Sequence, residues 1–520
     1  MEYWMNPLNQ GGVVILDFGS QYTQLIARRI REQHVFSEIL SSNTSADSMM
    51  KRKPKAVILS GGPNSVFEDS APQYDPKIFD LDIPILGICY GLQLMVHHYG
   101  GQVEPGSKGE YGFANLMKVK PESILDSISN DTQVWMSHMD KVQSVPEGWT
   151  ILAESTNGIV ATVANEASKR FATQFHPEVV HTVEGDTIIN NFLFKNAHCE
   201  PNWTAGNFIH EQIELIRNQV GDKHVICGVS GGVDSSVVGA LMHKAVGDQC
   251  TSVLIDHGLL RKNEADDCVS ALKDGLGVNI TSYDDSDLFL SKLSGVVEPE
   301  KKRKIIGEQF IRSFEKIADK LGDVSFLAQG TLYPDVIESG ASIGNSAHVI
   351  KSHHNVGGLP DDMTFKLIEP LRELFKDEVR NVGRELGLPD SLINRHPFPG
   401  PGLAVRILGE ITKERIAILQ NADQIYMDIL HEDGLYDEIW QAFAVLIPVK
   451  TVGVMGDQRT YEYLLGLRAV TSSDGMTADW FRMPDETLTK ISNKIVNSVK
   501  GVNRVVYDIT SKPPGTIEWE

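Results

Sequence analysis

Short apolar runs alternate with amphipathic segments over the first two hundred residues. VVILDF (13–18), AVILSGG (56–62) and IPILGIC (83–89) have strand length, while Gln24-Leu25-Ile26-Ala27-Arg28-Arg29-Ile30 has helical spacing. This order predicts an α/β layer with a largely parallel sheet, closing with the strand Phe171-Ala172-Thr173-Gln174-Phe175 and a helix that ends near Phe194. The polar stretch HCEPNWTAG (198–206), with Pro201 and Gly206, reads as a linker into an amphipathic helix over 208–220. A second series follows: VICGVS, a helix over 235–246, TSVLID, a helix over 263–275, VNITSYD, a long helix over 301–321, and FLAQGT. It too predicts a doubly wound layer. Beyond RHPFPGPG (395–402) helices and strands mix, ending in VNRVVYDI and TIEWE. The expected architecture is two doubly wound, largely parallel α/β domains followed by a smaller α+β C-terminal domain, with bounds 1–202, 203–395 and 396–520.

A length of 520 residues suits about three domains. The formal net charge of −21 opposes general binding to nucleic acid or to an anionic membrane, so a phosphate ligand has to be gripped locally. The five cysteines (89, 199, 227, 250, 268) form no CxxC pair, which points to a reducing compartment. The opening MEYWMNPLNQ lacks the pattern of a leader, and no apolar run approaches the roughly 18 residues of a membrane span. The expectation is a cytoplasmic protein.

Two constellations carry chemistry. In IPILGICYGLQLM, Cys89 lies between a strand and a helix with Gly87 and Gly91 on either side. This G-x-C-x-G is the thiol counterpart of a nucleophile elbow, where a helix N-terminus favours thiolate and can bind a developing oxyanion. A lone cysteine there would more often be a small buried hydrophobe. Partners change that balance: in FATQFHPEVVHT, Pro177 biases His176 toward extended backbone, so His176 and Glu178 can project to one side. His176 would take the Cys89 proton and Glu178 would steady the imidazolium.

The other constellation is Ser230-Gly231-Gly232-Val233-Asp234-Ser235-Ser236, a strand-to-helix turn rich in N–H and hydroxyl groups, with a helix expected from about Ser235. It is not the G-x-x-x-x-G-K-[ST] loop, because it has no Lys and its glycines are adjacent. Such a cradle suits a polyanion, and Asp234 would be useful there if Mg²⁺ bridges it to phosphate. The bland alternative is a Gly-Ser turn with an Asp/Ser cap.

The first constellation resembles the class I glutamine amidotransferases, which use Cys, His and Glu in this order. The resemblance implies oxyanion contacts from backbone N–H groups at Gly62 and Tyr90. It also places Gln93 and the segment WMSHMD (135–140) near bound glutamine, although Met139 stands where many relatives have glycine. The second constellation resembles the PP-loop of ATP pyrophosphatases, implying that Ser230 to Ser236 grip the pyrophosphate end of ATP and that the strand end Leu254 to Arg261 lies near the adenosine. Across the chain, LDFGSQYTQLIARR, KRKIIGEQF, QGTLYPDVIES, KSHHNVGGLP, EPLRELFKDEVR, RHPFPGPGL, VGVMGD and NRVVYDITSKPPGTIEWE resemble the glutamine-hydrolysing GMP synthase family.

That resemblance implies an amidotransferase domain over 1–202, an ATP pyrophosphatase domain over 203–395, and a dimerisation and XMP-binding domain over 396–520. It implies amination of XMP to GMP through an adenylated intermediate, with ATP, glutamine and Mg²⁺, in a homodimer. Arg303, Lys512, Ile517 and Glu518 match XMP-contacting positions; the cations would bind phosphate and Glu518 would accept from ring N–H groups. Taken alone, the run Lys301 to Lys304 would be a solvated helix face and the tail a closing hairpin. Asp335 and Glu338 would either help to hold Mg²⁺ or cap a helix. Two rivals belong to other classes. A tRNA-thiolating PP-loop enzyme would want a basic face and extra cysteines, and a non-catalytic sensor would not need both constellations intact.

Overall fold

Val13, Val14, Ile15 and Leu16 are all buried, as expected of a strand covered on both faces, and Val13–Asp17 lies inside a nine-stranded sheet. The computed structural model describes residues 11–106, 109–117, 119–322, 324–338, 365–455, 458–472 and 477–520. It divides into two units that meet in sequence between Glu211 and Gln212.

In the first unit, Ser37–Ser41, Val13–Asp17, Ala56–Leu59, Ile85–Ile88 and Arg170–Thr173 are joined in that order by parallel pairings. The sheet continues antiparallel through Val160–Asn165, Thr150–Ser155, Glu110–Met117 and Gln133–His138, an extension that the apolar runs did not announce. Val160–Asn165 is buried almost throughout, but the outermost strand buries one face only, so buried Val134, Met136 and His138 alternate with partly exposed neighbours. The pairing of Thr173 with Ile88 has a functional result: the next N–H, that of Cys89, donates to Thr173 O at 2.8 Å. HCEPNWTAG is tied down rather than loose. Trp203 is buried against Phe36 and Phe208, and its N–H donates to His34 O at 2.8 Å.

The second unit holds an all-parallel five-stranded sheet in the order Ile280–Asp284, Cys250–Asp256, His224–Val229, Val324–Ala328, Lys366–Ile368. The strand order reverses between His224–Val229 and Val324–Ala328, the place where open α/β sheets bind ligands beyond their carboxyl ends. Gln441–Met455 pairs antiparallel with Gln458–Thr471, which also pairs with Asp479–Trp480 and, in parallel, with Val502–Tyr507. One contiguous core includes Ile226 and Val253 from the first sheet, Leu403, and Leu446 and Ile495 from the second half. Residues 212–395 and 396–520 therefore share their packing, so residue 395 does not mark a break in the core.

Candidate active sites

Cys89 has φ 54° and ψ −102°, left-handed backbone that an L residue adopts only under constraint, and it opens the helix Tyr90–His98. The constraint comes from close packing. A Cβ on Gly87 would lie 2.6 Å from the Gly91 carbonyl, and one on Gly91 would lie 2.4 Å from Leu59 O. Tyr90 is the first helical residue, so its N–H has no acceptor within the helix, and Gly62 packs so tightly on Phe18 O that a Cβ would meet it at 2.6 Å. The FATQFHPE segment leaves the strand Arg170–Thr173 through a bend at Gln174 and Phe175 and a turn at Pro177 and Glu178, and sets His176 Nδ1 2.7 Å from Glu178 Oε1. Burial opposes charge on His176, but the Glu178 carboxylate and the hydrogen bond with Cys89 outweigh it and hold the imidazole well above its ordinary range. Tyr22 packs edge-on against the ring at 4.9 Å between centroids.

Gln93 is buried on the helix that Cys89 opens. Its amide N–H groups face Asp140 O at 2.9 Å and Gln174 Oε1 at 3.5 Å, so it braces the wall of the site. Gln174, which the sequence did not single out, points its own amide nitrogen at Cys89 Sγ at 3.7 Å. Met139, in the uncertain WMSHMD segment, is exposed.

In the second unit the helix Val233–Val246 starts two residues earlier than the sequence suggested, with Gly232 as its N-cap. Gly231 has φ +79°, a conformation that glycine adopts freely. The serine hydroxyls shape the loop: Ser235 Oγ accepts from Ser230 N at 3.0 Å and donates to Gly232 O at 3.1 Å, while Ser236 Oγ donates to the same carbonyl at 2.9 Å. An anion is left to the backbone N–H groups of the helix start, which includes Val233 and Asp234. Asp234 is already engaged, with both carboxylate oxygens 2.7 and 2.6 Å from Lys376 Nζ. Among the described residues no three His, Cys, Asp or Glu side chains gather as a metal site, so the expected role of Asp234 gains no supporting ligand. Asp335 Oδ2 accepts from Leu332 N at 2.9 Å at a helix start, which favours the capping role; the Glu338 side chain and KSHHNVGGLP lie outside the described residues.

The loop forms one wall of a cavity of about 580 Å³, and Lys512, Ile517 and Glu518 from the tail line it as well. His257 also lines it, and burial depresses its imidazole to about 3, so it is neutral; its Nδ1 accepts from Leu259 N at 3.0 Å. Arg303 does not join that wall, and its guanidinium donates to the main-chain oxygen of Glu520 at 2.5 Å. Three fully buried cations hold the tail from behind. Lys302 pairs with the Glu520 side chain, Arg406 clasps Glu518 at 2.8 and 3.1 Å, and Arg468 reaches the carbonyls of Thr510, Thr516 and Ile517 at 2.5, 3.2 and 3.4 Å.

Relatives match across both units. GMP synthase [glutamine-hydrolyzing] of Synechococcus sp. is 55% identical over 519 residues, covering 99% of this chain and 97% of its own. The chain belongs to the glutamine-hydrolysing GMP synthase family. The protein of that name from Carboxydothermus hydrogenoformans is 55% identical over 508 residues, 98% of this chain and 99% of its own. Family profiles match in the same order: glutamine amidotransferase class-I over 14–196, NAD synthase over 206–308, and GMP synthase C terminal domain over 428–519. A solved glutamine amidotransferase from Thermotoga maritima, 18% identical, covers 41% of this chain and 84% of its own with a TM-score of 0.28, too slight a likeness to bear on the assignment. The match of a GMP synthase to both units fits the fold, a parallel-rich α/β architecture with an antiparallel sheet near the C-terminus.

Proposed function

We propose that this chain makes GMP from XMP, using ATP and ammonia released from glutamine, and that it yields AMP, pyrophosphate and glutamate. The observation that carries the synthetase half is the single cavity in which the loop at the sheet's switch point and the tail residues Lys512, Ile517 and Glu518 line the same space. Backbone N–H groups at the start of Val233–Val246 hold the pyrophosphate end of ATP, which leaves the α-phosphorus open to the C2 oxygen of XMP. Ammonia then attacks C2 and AMP departs. In the first unit His176 takes the Cys89 proton and the thiolate attacks the glutamine carboxamide. The Tyr90 and Gly62 N–H groups receive the oxyanion, and His176 returns the proton to the leaving ammonia. Water then releases glutamate from the thioester.

Mg²⁺ would neutralise phosphate charge when bound. Asp234 would be the carboxylate to hold it, once Lys376 gave up the contact with both carboxylate oxygens. Arg303 reaches nucleotide phosphate only if it leaves Glu520. The family supports a homodimer, and exposed Val452, Val454 and Tyr461 on the long hairpin offer an apolar surface for it. No helix among the described residues is long and apolar enough to cross a membrane, which fits cytoplasmic work on nucleotides. The deciding experiment mixes purified protein with ATP, glutamine and XMP: AMP and pyrophosphate should appear only with XMP, and formation of ADP and orthophosphate would refute the assignment.

A further inference from the structure

We propose that Gln174 is a catalytic residue of the glutaminase site, donating an amide N–H to the Cys89 sulfur and stabilising its thiolate, with Gln93 as the positioning residue that fixes which end of that amide faces the sulfur. The inference rests on Cys89 being the nucleophile.

The arrangement follows from two periodicities. Cys89 and Gln93 lie four apart at the start of a helix, so they share a face. Gln174, His176 and Glu178 occur at every second position after the strand Arg170–Thr173, and the bend at Gln174 and the turn at Pro177 and Glu178 set Gln174 on Cys89 and His176 on Glu178. The helix face and this segment meet. Gln174 Nε2 stands 3.7 Å from Cys89 Sγ, Gln93 Nε2 stands 3.5 Å from Gln174 Oε1, and the Cys89 thiol helps to hold the His176 imidazole well above its ordinary range. Both glutamines are more than nine-tenths buried, so no bulk water competes for their amides.

A primary amide can be turned end for end, and only its neighbours decide which way it points. Here they decide. Gln93 Nε2 is anchored on Asp140 O at 2.9 Å and can only donate. The reversed Gln174 amide would set nitrogen against nitrogen at one end and oxygen against sulfur at the other. Gln174 therefore presents its N–H to Sγ. In the thiol state Cys89 Sγ also lies 3.5 Å from Ser137 O, to which it can donate. When the thiol proton passes to His176, the sulfur keeps one imidazolium donor and one neutral amide donor. No proton leaves Gln174. A hydrogen bond to an ionised group is worth more than one between neutral groups, so the Gln174 contact favours the thiolate over the thiol.

The test measures carboxamidomethylation of Cys89 by iodoacetamide in the full-length protein, followed on the Cys89 peptide by mass spectrometry between pH 6 and 9. Gln174→Met keeps length and burial but removes the donor. Its alkylation should slow on the order of tenfold at pH 7, with the rates converging at high pH, as expected when about one pH unit of thiolate stabilisation is lost. Gln93→Met leaves Gln174 free to turn and should slow alkylation in the same direction by about threefold. A structural role alone would lower the melting temperature and leave the pH–rate profile in place, and that result overturns the proposal. If Gln174→Met fails to fold by circular dichroism, Gln93→Met decides, and an unchanged profile overturns the proposal. If Cys89 in the parent protein is not alkylated at any pH between 6 and 9, the assignment of Cys89 as nucleophile falls first.

Discussion

Replacing Arg406 with Met tests how the tail is held at the nucleotide cavity. The guanidinium is fully buried, its carbon 4.9 Å from the Phe398 ring centroid and 4.2 Å from that of Phe443, and its fork clasps Glu518 at 2.8 and 3.1 Å. Methionine keeps apolar bulk between the two rings but leaves Glu518 with Gln441 Nε2, at 2.7 Å, as its remaining hydrogen-bond partner of those described. Removing one partner of a buried pair costs about 3–5 kcal/mol, because the other charge stays desolvated and unpaired. The Glu518 side chain is 19% exposed, so water relieves part of that cost and the lower end, about 3 kcal/mol, applies. Urea unfolding of the full chain, monitored in the second unit, should show that loss. Pyrophosphate release at saturating ammonium should show KM for XMP raised at least about tenfold, with KM for ATP nearly unchanged. Arg406→Lys keeps the charge but not the planar fork and should fall between. If Arg406→Met matches the parent in both stability and KM for XMP, the clasp on Glu518 has no part in substrate binding and the reasoning fails.

Three further outcomes can be checked with purified protein. Cys89→Ala should abolish GMP formation from glutamine and leave it intact with high ammonium; failure of ammonium to restore it would contradict the division of labour between the units. Gly232→Val should fold almost as the parent does, since the nearest atom to its Cβ is Ser230 Oγ at 3.6 Å, yet lose XMP-dependent pyrophosphate release because the new side chain fills the phosphate space. Burial holds His257 at about 3 and His396 at about 4, so both are neutral when folded. An unfolded imidazole protonates near pH 6.5, so the stability these residues contribute is complete above that pH and is lost as pH falls toward 4. At pH 5 each should cost about 2 kcal/mol. Urea midpoints at pH 7 and pH 5 measure this, and His396→Gln should recover about half of the loss.

The elbow was legible because Gly87 is dictated by Gly91, close to it in the chain, although Gly91 itself answers to the distant Leu59 carbonyl. His176 and Glu178 were legible because an extended chain alternates sides. Gln174 obeys the same alternation, and its position two residues before His176 was the available signal. It was passed over because a glutamine is not itself a proton carrier or nucleophile. Lys376 and Arg406 were missed for a different reason. Each meets its carboxylate across more than a hundred residues, 142 for Lys376 with Asp234 and 112 for Arg406 with Glu518, and no local pattern encodes such a meeting. The antiparallel half of the first sheet was likewise hidden, since half-buried strands such as Gln133–His138 lack a long apolar run. The hydroxyls of Ser235 and Ser236 also donate to Gly232 O, an intraloop contact that the sequence alone does not reveal.

The tail's three anchors, Lys302, Arg406 and Arg468, lie deep inside the second unit, whereas the carboxylates that pair with them come from residues 508–520. A chain still emerging from the ribosome, or one that has lost its final dozen residues to a protease, lacks the Glu518 and Glu520 carboxylates that pair with Arg406 and Lys302, and Lys302 keeps only the carbonyls of Ala404 and Ile407. Removing a partner from a buried pair is strongly destabilising, so the final residues tie the stability of the second unit to the completeness of its nucleotide cavity.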